Sequence, residues 1–159
     1  MNSYLKIPLK TILEAITNLF LFLNLDLFIN RHKLIILMYH GVSNKKTRIG
    51  EVENYDGKHI FVNKFMRQMR IVKRYNVISM QELAAHIEHE EKLPRNPLLI
   101  TFDDGYKNIY NSAFPILKEF GLPATIFVCP ELVDKNEITW LDKVELAIAR
   151  SKKNVIAFN

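Results

Sequence analysis

The chain has 159 residues, which is enough for one domain with its own hydrophobic core. Apolar residues make up 48% and charged residues 25% of the chain, the balance of a folded protein rather than a disordered one. The single cysteine, Cys129, excludes an internal disulfide and a zinc site built from several cysteines.

The positive charge is concentrated near the N-terminus. The formal net charge is +5, and residues 1–50 carry seven basic and two acidic side chains, so the remaining residues sum to zero. No basic patch interleaved with aromatic residues accompanies this excess, and we therefore expect no nucleic-acid partner.

Residues 1–32 predict an N-terminal apolar or amphipathic helix. Apolar side chains recur there at helical spacing: Leu9, Ile12, Ile16, Leu19 and Leu23. Polar residues interrupt the pattern at Asn18, Asn24 and Asp26. A membrane-spanning helix needs ~20 nearly uninterrupted apolar residues, and no small-x-small cleavage site follows the stretch, so there is no clear cleavable signal peptide.

Three interpretations of this segment remain open. It is a helix that packs on the domain, an interfacial helix on a membrane surface, or a signal anchor. In the second case residues 1–33 would contact anionic headgroups through their basic side chains: Lys6, Lys10, Arg31 and Lys33.

Strands and helices alternate from residue 34 onward. Apolar runs predict buried strands at Leu34–Tyr39, Val77-Ile78, Leu98–Phe102, Ala124–Val128 and Val155–Phe158. Helices are predicted over 62–75 and around 141–148. A third helix is predicted to begin with a capping box formed by Ser79 and Glu82 and to end near Leu93. A fourth is predicted over 109–120, with a kink at Pro115 and its end at Gly121. A polar loop is predicted between the first strand and the first of these helices. This order indicates an α/β fold with parallel strands, either a compact open sheet or the first part of something larger.

Asp103 and Asp104 directly follow the apolar strand that ends at Phe102, and Gly105 permits a sharp turn after them. In parallel α/β folds, functional sites form at the carboxyl ends of the strands. Two adjacent carboxylates suit a division of labour, in which one ligates a metal ion and the other is a general base toward water. A turn that caps the next helix is the structural alternative. Phosphoryl transfer is a second alternative, but it usually shows two acids separated by one residue.

The sequence also resembles a known family. Thr101-Phe102-Asp103-Asp104-Gly105-Tyr106, with the segments 111–117 and 121–128, looks like the first motif block of polysaccharide deacetylases, the NodB-homology group or carbohydrate esterase family 4. The segments 37–42, 65–69 and 78–83 resemble the poly-N-acetylglucosamine deacetylase subgroup. Trp140-Leu141-Asp142-Lys143-Val144 resembles an insertion found in some members.

The resemblance implies a partial deformed (β/α) barrel with parallel strands, preceded by the N-terminal helix. It assigns residues 33–159 to the N-terminal portion of a deacetylase domain, which we expect to be truncated. It implies metal-dependent hydrolysis of N-acetyl or O-acetyl groups on a carbohydrate polymer in the cell envelope or outside the cell. Asp103 would be the general base and Asp104 a ligand to a divalent metal, usually zinc.

The chain departs from the family pattern in its histidines. No histidine follows His89, so the family's His-x-x-x-His motif is absent and the metal ligand set is incomplete. We therefore expect the 159-residue chain to be weakly active or inactive, with a non-catalytic glycan-binding or scaffold remnant and a peripheral membrane protein as alternatives. His40 is expected to line the substrate pocket, with a structural histidine as the alternative, while Tyr39 and Tyr106 are pocket walls or packing residues. His59 is predicted on the loop surface, and His86 and His89 on a solvated helix.

Overall fold

The structure is a computed structural model that describes residues 8–29, 31–44, 48–49, 52–53, 58–135 and 137–151. Its helices are α1 (Leu9–Phe22), α2 (Leu25–Ile29), α3 (Val62–Val72), α4 (Met80–His89), α5 (Phe114–Phe120), α6 (Pro130–Asp134) and α7 (Trp140–Arg150). Its strands are β1 (Ile35–Tyr39), β2 (Gly41–Ser43), β3 (Arg48–Ile49), β4 (Val52–Glu53), β5 (His59–Phe61), β6 (Asn76–Ile78), β7 (Pro97–Phe102) and β8 (Thr125–Ile126).

Strand β7 is the centre of a four-stranded sheet. One side of β7 pairs with β1, from Ile35 opposite Leu98 to Tyr39 opposite Phe102. The first half of β7 also pairs with β6 and its last two residues pair with β8. All of these pairings are parallel, which confirms the predicted parallel α/β arrangement. The barrel is not confirmed, because the described strands of this sheet stay open rather than closing into a ring.

The core forms where β7 meets α3. All six residues of β7 are buried, as expected for a strand covered on both faces. On α3, Phe65, Met69 and Val72 follow one another at helical spacing and are buried against the sheet. Burying each such side chain stabilises the fold by about 1.5–3 kcal/mol. This packing fixes the end of β7, where the two aspartates follow.

Local signals in the sequence set several helix ends. Ser79 and Glu82 form the predicted capping box, in which each side chain accepts a hydrogen bond from the other residue's backbone N–H. Gly121 ends α5 in the left-handed conformation, with a φ of 65°. The predicted kink at Pro115 is seen as a π-helical turn over Ile109–Ala113 that leads directly into α5. Pro115 cannot donate a helical hydrogen bond, so the regular pattern breaks just before it.

Two sequence predictions differ from the structure. The predicted polar loop contains β2 and β5, which pair in parallel, and the hairpin of β3 and β4. Short strands of two or three residues carry too little alternation to be recognised from sequence. The predicted strand at Ala124–Val128 shortens to β8, because only Thr125 and Ile126 find partners on β7. The predicted strand at Val155–Phe158 lies outside the described residues, and the division at residue 32 stays a prediction.

Candidate active site

The aspartate pair lies at the carboxyl end of β7. The backbone N–H of Asp103 donates a hydrogen bond to the carbonyl of Tyr39 (2.8 Å), so the pairing of β7 with β1 extends through Asp103. Asp104 and Gly105 then adopt left-handed conformations, with φ values of 67° and 69°. A left-handed non-glycine residue is uncommon and costs energy, and it is found most often where function or a tight turn requires it. The extended backbone of the strand therefore ends at Asp103, and the turn begins at Asp104.

The turn after the aspartates is closely packed by the segment that follows β8. A Cβ atom on Gly105 would lie 2.9 Å from Cγ1 of Val128 and would also have to adopt a positive φ. The backbone N–H of Phe127 donates to the carbonyl of Phe102 (2.8 Å), which holds this segment beside the end of β7. Glycine is therefore required at position 105 for both space and conformation.

His40 follows β1 at the same edge of the sheet. Because Asp103 continues the register that pairs Tyr39 with Phe102, His40 and the aspartates occupy neighbouring strand ends. His40 is half-buried. The structure thus brings His40, Asp103 and Asp104 to one end of the sheet, as the sequence predicted.

A second histidine, His59, is buried nearby, and the prediction of a surface position for it is wrong. It begins β5 opposite Gly41 of β2, and its Nδ1 lies 3.0 Å from Nδ2 of Asn108. A Cβ atom on Gly41 would lie only 2.3 Å from His59 Nδ1 and from Asn108 Oδ1. The absence of a side chain at position 41 is therefore what allows His59 and Asn108 to meet.

Burial and neighbouring charges keep His59 neutral. Burial lowers its pKa to about 4, the charge of Lys58 adds to the effect, and His40 lowers the pKa further. Asp142 and Asp104 act in the opposite direction. His40 and Asp104 are thus both within electrostatic reach of His59, which links the buried histidine to the aspartate pair.

Lys58, Tyr106 and Asp142 form a hydrogen-bonded cluster beside this site. Lys58 Nζ donates to Asp142 Oδ1 (3.0 Å) and to the hydroxyl of Tyr106, and that hydroxyl donates to Asp142 Oδ2 (2.7 Å). The Tyr106 ring packs edge-on against His59, with 4.8 Å between ring centroids. The Asp142 backbone N–H is capped by the Thr139 hydroxyl at the start of α7. The cluster therefore ties α7 to the turn that carries the aspartates.

The charges in this cluster are complementary. Burial alone raises the pKa of Asp142, but the hydrogen bonds from Tyr106, Lys58 and Thr139 outweigh it and the net shift is downward. Burial lowers the pKa of Lys58, yet its bonds to Tyr106 and Asp142 raise it overall. Burial raises the pKa of Tyr106 to about 12. At neutral pH the cluster is thus a cation, a neutral phenol and a carboxylate.

The two predicted tyrosines occupy different surroundings. Tyr106 is at the site and half-buried; its hydroxyl is engaged by Lys58 and Asp142, its ring packs edge-on against His59, and Lys58 Nζ lies 4.7 Å from the ring centroid. Tyr39 packs against Phe65 of α3 and donates its hydroxyl to Gln68 Oε1 (3.0 Å). Burial raises the Tyr39 pKa to about 12. The Tyr39 hydroxyl is thus placed in the layer between sheet and helix.

The remaining candidates lie on the surface. His86 and His89 are exposed on α4, as predicted. Cys129 is exposed just before α6. Sequence reasoning did not identify Lys58, Asn108 or Asp142. For Asp142 a signal existed, since Thr139 and Asp142 have the spacing of a helix N-cap, but nothing local indicates that its carboxylate turns toward Lys58.

Comparison with known proteins finds similarity to polysaccharide deacetylases. The family model described as polysaccharide deacetylase matches residues 90–154. YxkH of Bacillus subtilis, whose name assigns it to the polysaccharide deacetylases, is 28% identical over 116 residues, 72% of this chain and 39% of that protein. The poly-beta-1,6-N-acetyl-D-glucosamine N-deacetylase of Staphylococcus epidermidis is 28% identical, over 66% of this chain and 39% of that protein.

Solved structures agree in fold. A de-N-acetylase from Aggregatibacter actinomycetemcomitans superposes with a TM-score of 0.56 and 29% identity, covering 67% of this chain and 42% of that one. The Streptococcus pyogenes deacetylase PplD has a TM-score of 0.54 at 23% identity, covering 75% of this chain and 54% of that one, and is similar in fold alone.

This chain is similar to the polysaccharide deacetylases. The matched region begins just after α4 and includes β7, the aspartate pair, α5, β8 and α7. The chain spans about two fifths of the length of the curated deacetylases it matches. In the part of the chain that the structure describes, no three His, Cys, Asp or Glu side chains converge to hold a metal ion.

Proposed function

We propose that this chain acts in the hydrolysis of acetyl groups on a carbohydrate polymer. The observation that carries the proposal is the pair Asp103-Asp104 at the end of a buried parallel strand, held by backbone bonds to β1 and followed by two left-handed residues. Both carboxylates are half-buried, so they are partly accessible to water and to a substrate. The deacetylase names of the relatives support the same reaction class.

In this proposal Asp103 is the general base. Its carboxylate takes a proton from a water molecule, whose oxygen attacks the acetyl carbonyl carbon. The carbon–nitrogen bond of the acetamide then breaks, the nitrogen takes the proton that Asp103 removed from the water and leaves as the amine, and acetic acid is released and ionises to acetate. For an O-acetyl group the leaving atom is the sugar oxygen, and the task of Asp103 is the same.

A divalent metal, zinc in the family pattern, is proposed with Asp104 as one ligand. A carboxylate oxygen is a suitable donor for such an ion. The described residues do not supply a full ligand set, and the 159 residues contain no His-x-x-x-His motif. The proposal therefore assigns no step to the metal and expects this chain alone to bind zinc weakly.

His40 and the ring of Tyr106 are proposed to contact the substrate. His40 is half-buried at the same strand end as Asp103, and the Tyr106 ring is fixed at the turn by its hydroxyl. Tyr39 is the other residue expected in this role; in the structure its ring packs on Phe65 and Phe102 and its hydroxyl donates to Gln68. The substrate suggested by the relatives is an aminosugar polymer such as poly-N-acetylglucosamine, which would place the reaction at the cell envelope.

The experiment is acetate release from N-acetylglucosamine oligomers in the presence of zinc. We expect slow release by the 159-residue chain and none by Asp103→Asn, while Glu88→Gln, on the exposed face of α4, keeps the parent rate. Release that persists in Asp103→Asn would contradict the role of Asp103. Fast, zinc-dependent release would contradict the expectation that the ligand set is too incomplete for efficient turnover.

A non-catalytic glycan-binding role is the second candidate. It is favoured by one observation, the missing convergence of three metal ligands among the described residues. In that case calorimetry would show oligomer binding to both the parent chain and Asp103→Asn, with no acetate released by either.

A further inference from the structure

The N-terminal helix α1 turns its apolar side away from the domain. The groove beside Arg67 of α3 is lined on the α1 side by four polar residues and two leucines: Lys10, Glu14, Thr17, Asn18, Leu9 and Leu13. Ile12, Ile16 and Leu19 do not line this groove, and they are 42%, 58% and 58% exposed. A helix that only covered the domain would present the opposite side to it.

A network at the end of α1 fixes this orientation. Arg74, just beyond α3, donates to the carbonyl of Leu21 (2.8 Å), to Asn24 Oδ1 (2.5 Å) and to Asp26 Oδ1 (3.0 Å). The Tyr75 hydroxyl donates to Asp26 Oδ2 (2.8 Å), and Asp26 is buried. Charged hydrogen bonds of this kind are the strong ones, and they hold the turn between α1 and α2 on the domain. Helix α1 is therefore fixed at one end, with its apolar side outward.

We propose that α1 lies on an anionic lipid surface, with Ile12, Ile16 and Leu19 directed into the boundary between headgroups and acyl chains. Charge distinguishes this occupant from another copy of the chain. Residues 1–33 carry four basic and two acidic side chains, a net charge of +2, so two copies meeting through this segment would repel, whereas an anionic membrane attracts it. Lys10 is exposed on α1, and Lys33 is exposed shortly after α2.

The length of the helix suits a position in the plane of the membrane. Helix α1 has 14 residues and includes Lys10 and Glu14. No helix within the described ranges is long and apolar enough to cross a bilayer. An amphipathic helix with one apolar side and flanking cations is typical of a segment that rests in the interface.

The test uses the full chain and vesicles of 30% phosphatidylglycerol in phosphatidylcholine, compared with phosphatidylcholine alone, in a co-sedimentation assay. We expect binding to the anionic vesicles that falls at least about tenfold in high salt. Ile16→Glu should weaken binding by about tenfold or more, because it places a charge on the inserted side. Asn18→Glu adds the same charge on the opposite side of the helix and should weaken binding by less than about threefold.

Three results would overturn the proposal. The first is that the full chain does not bind anionic vesicles. The second is that Ile16→Glu and Asn18→Glu weaken binding equally. The third is that the chain dimerises with increasing concentration in ultracentrifugation and that Ile16→Glu abolishes this dimerisation. The last would assign the apolar side to a second copy of the chain. Circular dichroism checks that both variants keep the helix content of the parent.

Discussion

Lys58 Nζ lies 3.0 Å from Asp142 Oδ1, although the two residues are 84 positions apart in the chain. Their side chains are only 14% and 10% exposed, and the Tyr106 hydroxyl bridges them. This ion pair joins the start of β5 to the start of α7, next to the turn that carries Asp103 and Asp104. The ion pair between Lys58 and Asp142 therefore supports the turn at the candidate active site, and no local sequence pattern predicts this contact.

Asp142→Asn should destabilise the protein by about 2 kcal/mol at pH 7, because it leaves the cation of Lys58 in a nearly buried position without its counter-charge. Urea unfolding followed by circular dichroism measures the change. The pKa of Asp142 is lowered in the folded state, so its contribution is present above the ordinary aspartate pKa and is lost as pH falls through the folded value. The difference between parent and variant should therefore shrink below about pH 4. Asp134→Asn, at an exposed position in α6, is the control and should change stability by less than about 0.5 kcal/mol.

His59 predicts a second pH dependence with a different window. Its folded pKa of about 4 lies below the value of 6.5 for an unperturbed histidine, so the unfolded chain binds the extra proton first. The stability associated with neutral His59 is complete above pH 6.5 and is lost as pH falls toward 4. The parent protein should lose unfolding free energy between pH 7 and pH 4.5, and His59→Gln should lose about 1–3 kcal/mol less over the same range. His89 is exposed, so His89→Gln should lose as much unfolding free energy as the parent over this pH range. Equal losses in His59→Gln and His89→Gln would contradict the assignment of this pH dependence to His59.

The sequence predicted those features that depend on neighbouring residues. The capping box of Ser79 and Glu82, the stop at Gly121 and the apolar run of β7 are all local, and the structure contains each of them. The aspartate pair could be placed near the end of the first strand because the carboxyl ends of parallel strands lie at the same edge of a sheet.

The features that sequence reasoning missed depend on long-range contacts. His59 was assigned to a surface loop because the residues around it are polar, yet pairing with β2 and contact with Asn108, 49 positions away, bury it. Asp142 lies in the first turn of α7, where an acidic residue is expected on helix grounds alone. Its second role, as partner of Lys58 and Tyr106, follows only from the packing of α7 near β4 and β5.

Gly41 provides a prediction based on space alone. Gly41→Ala should destabilise the protein by about 2–3 kcal/mol, because the new Cβ would lie 2.3 Å from His59 Nδ1 and from Asn108 Oδ1 and one of them must move. Gly121→Ala is the matched comparison, since its Cβ would meet nothing within 4 Å but its φ is 65°. It should cost only about 1 kcal/mol, from backbone strain. Thermal unfolding measures the stability of both variants. An equal loss of stability in the two would mean that His59 and Asn108 move aside at little energetic cost, contrary to this prediction.

Arg74 predicts how α1 and α2 respond when their attachment is removed. Arg74→Met keeps most of the side-chain length but removes the bonds to Leu21, Asn24 and Asp26. The buried carboxylate of Asp26 then keeps the hydrogen bond from the Tyr75 hydroxyl but loses the ion pair with Arg74, at a cost of about 1–3 kcal/mol for the attachment of this segment. Amide hydrogen exchange should become faster across residues 9–29 and stay unchanged in β7 and α3, because the core contacts do not involve Arg74. Arg70→Met is the control, since Arg70 is exposed and its side chain donates to Met66 Sδ within its own helix. Faster exchange in β7 as well would mean that α1 and α2 stabilise the whole domain rather than being held at its surface by this network.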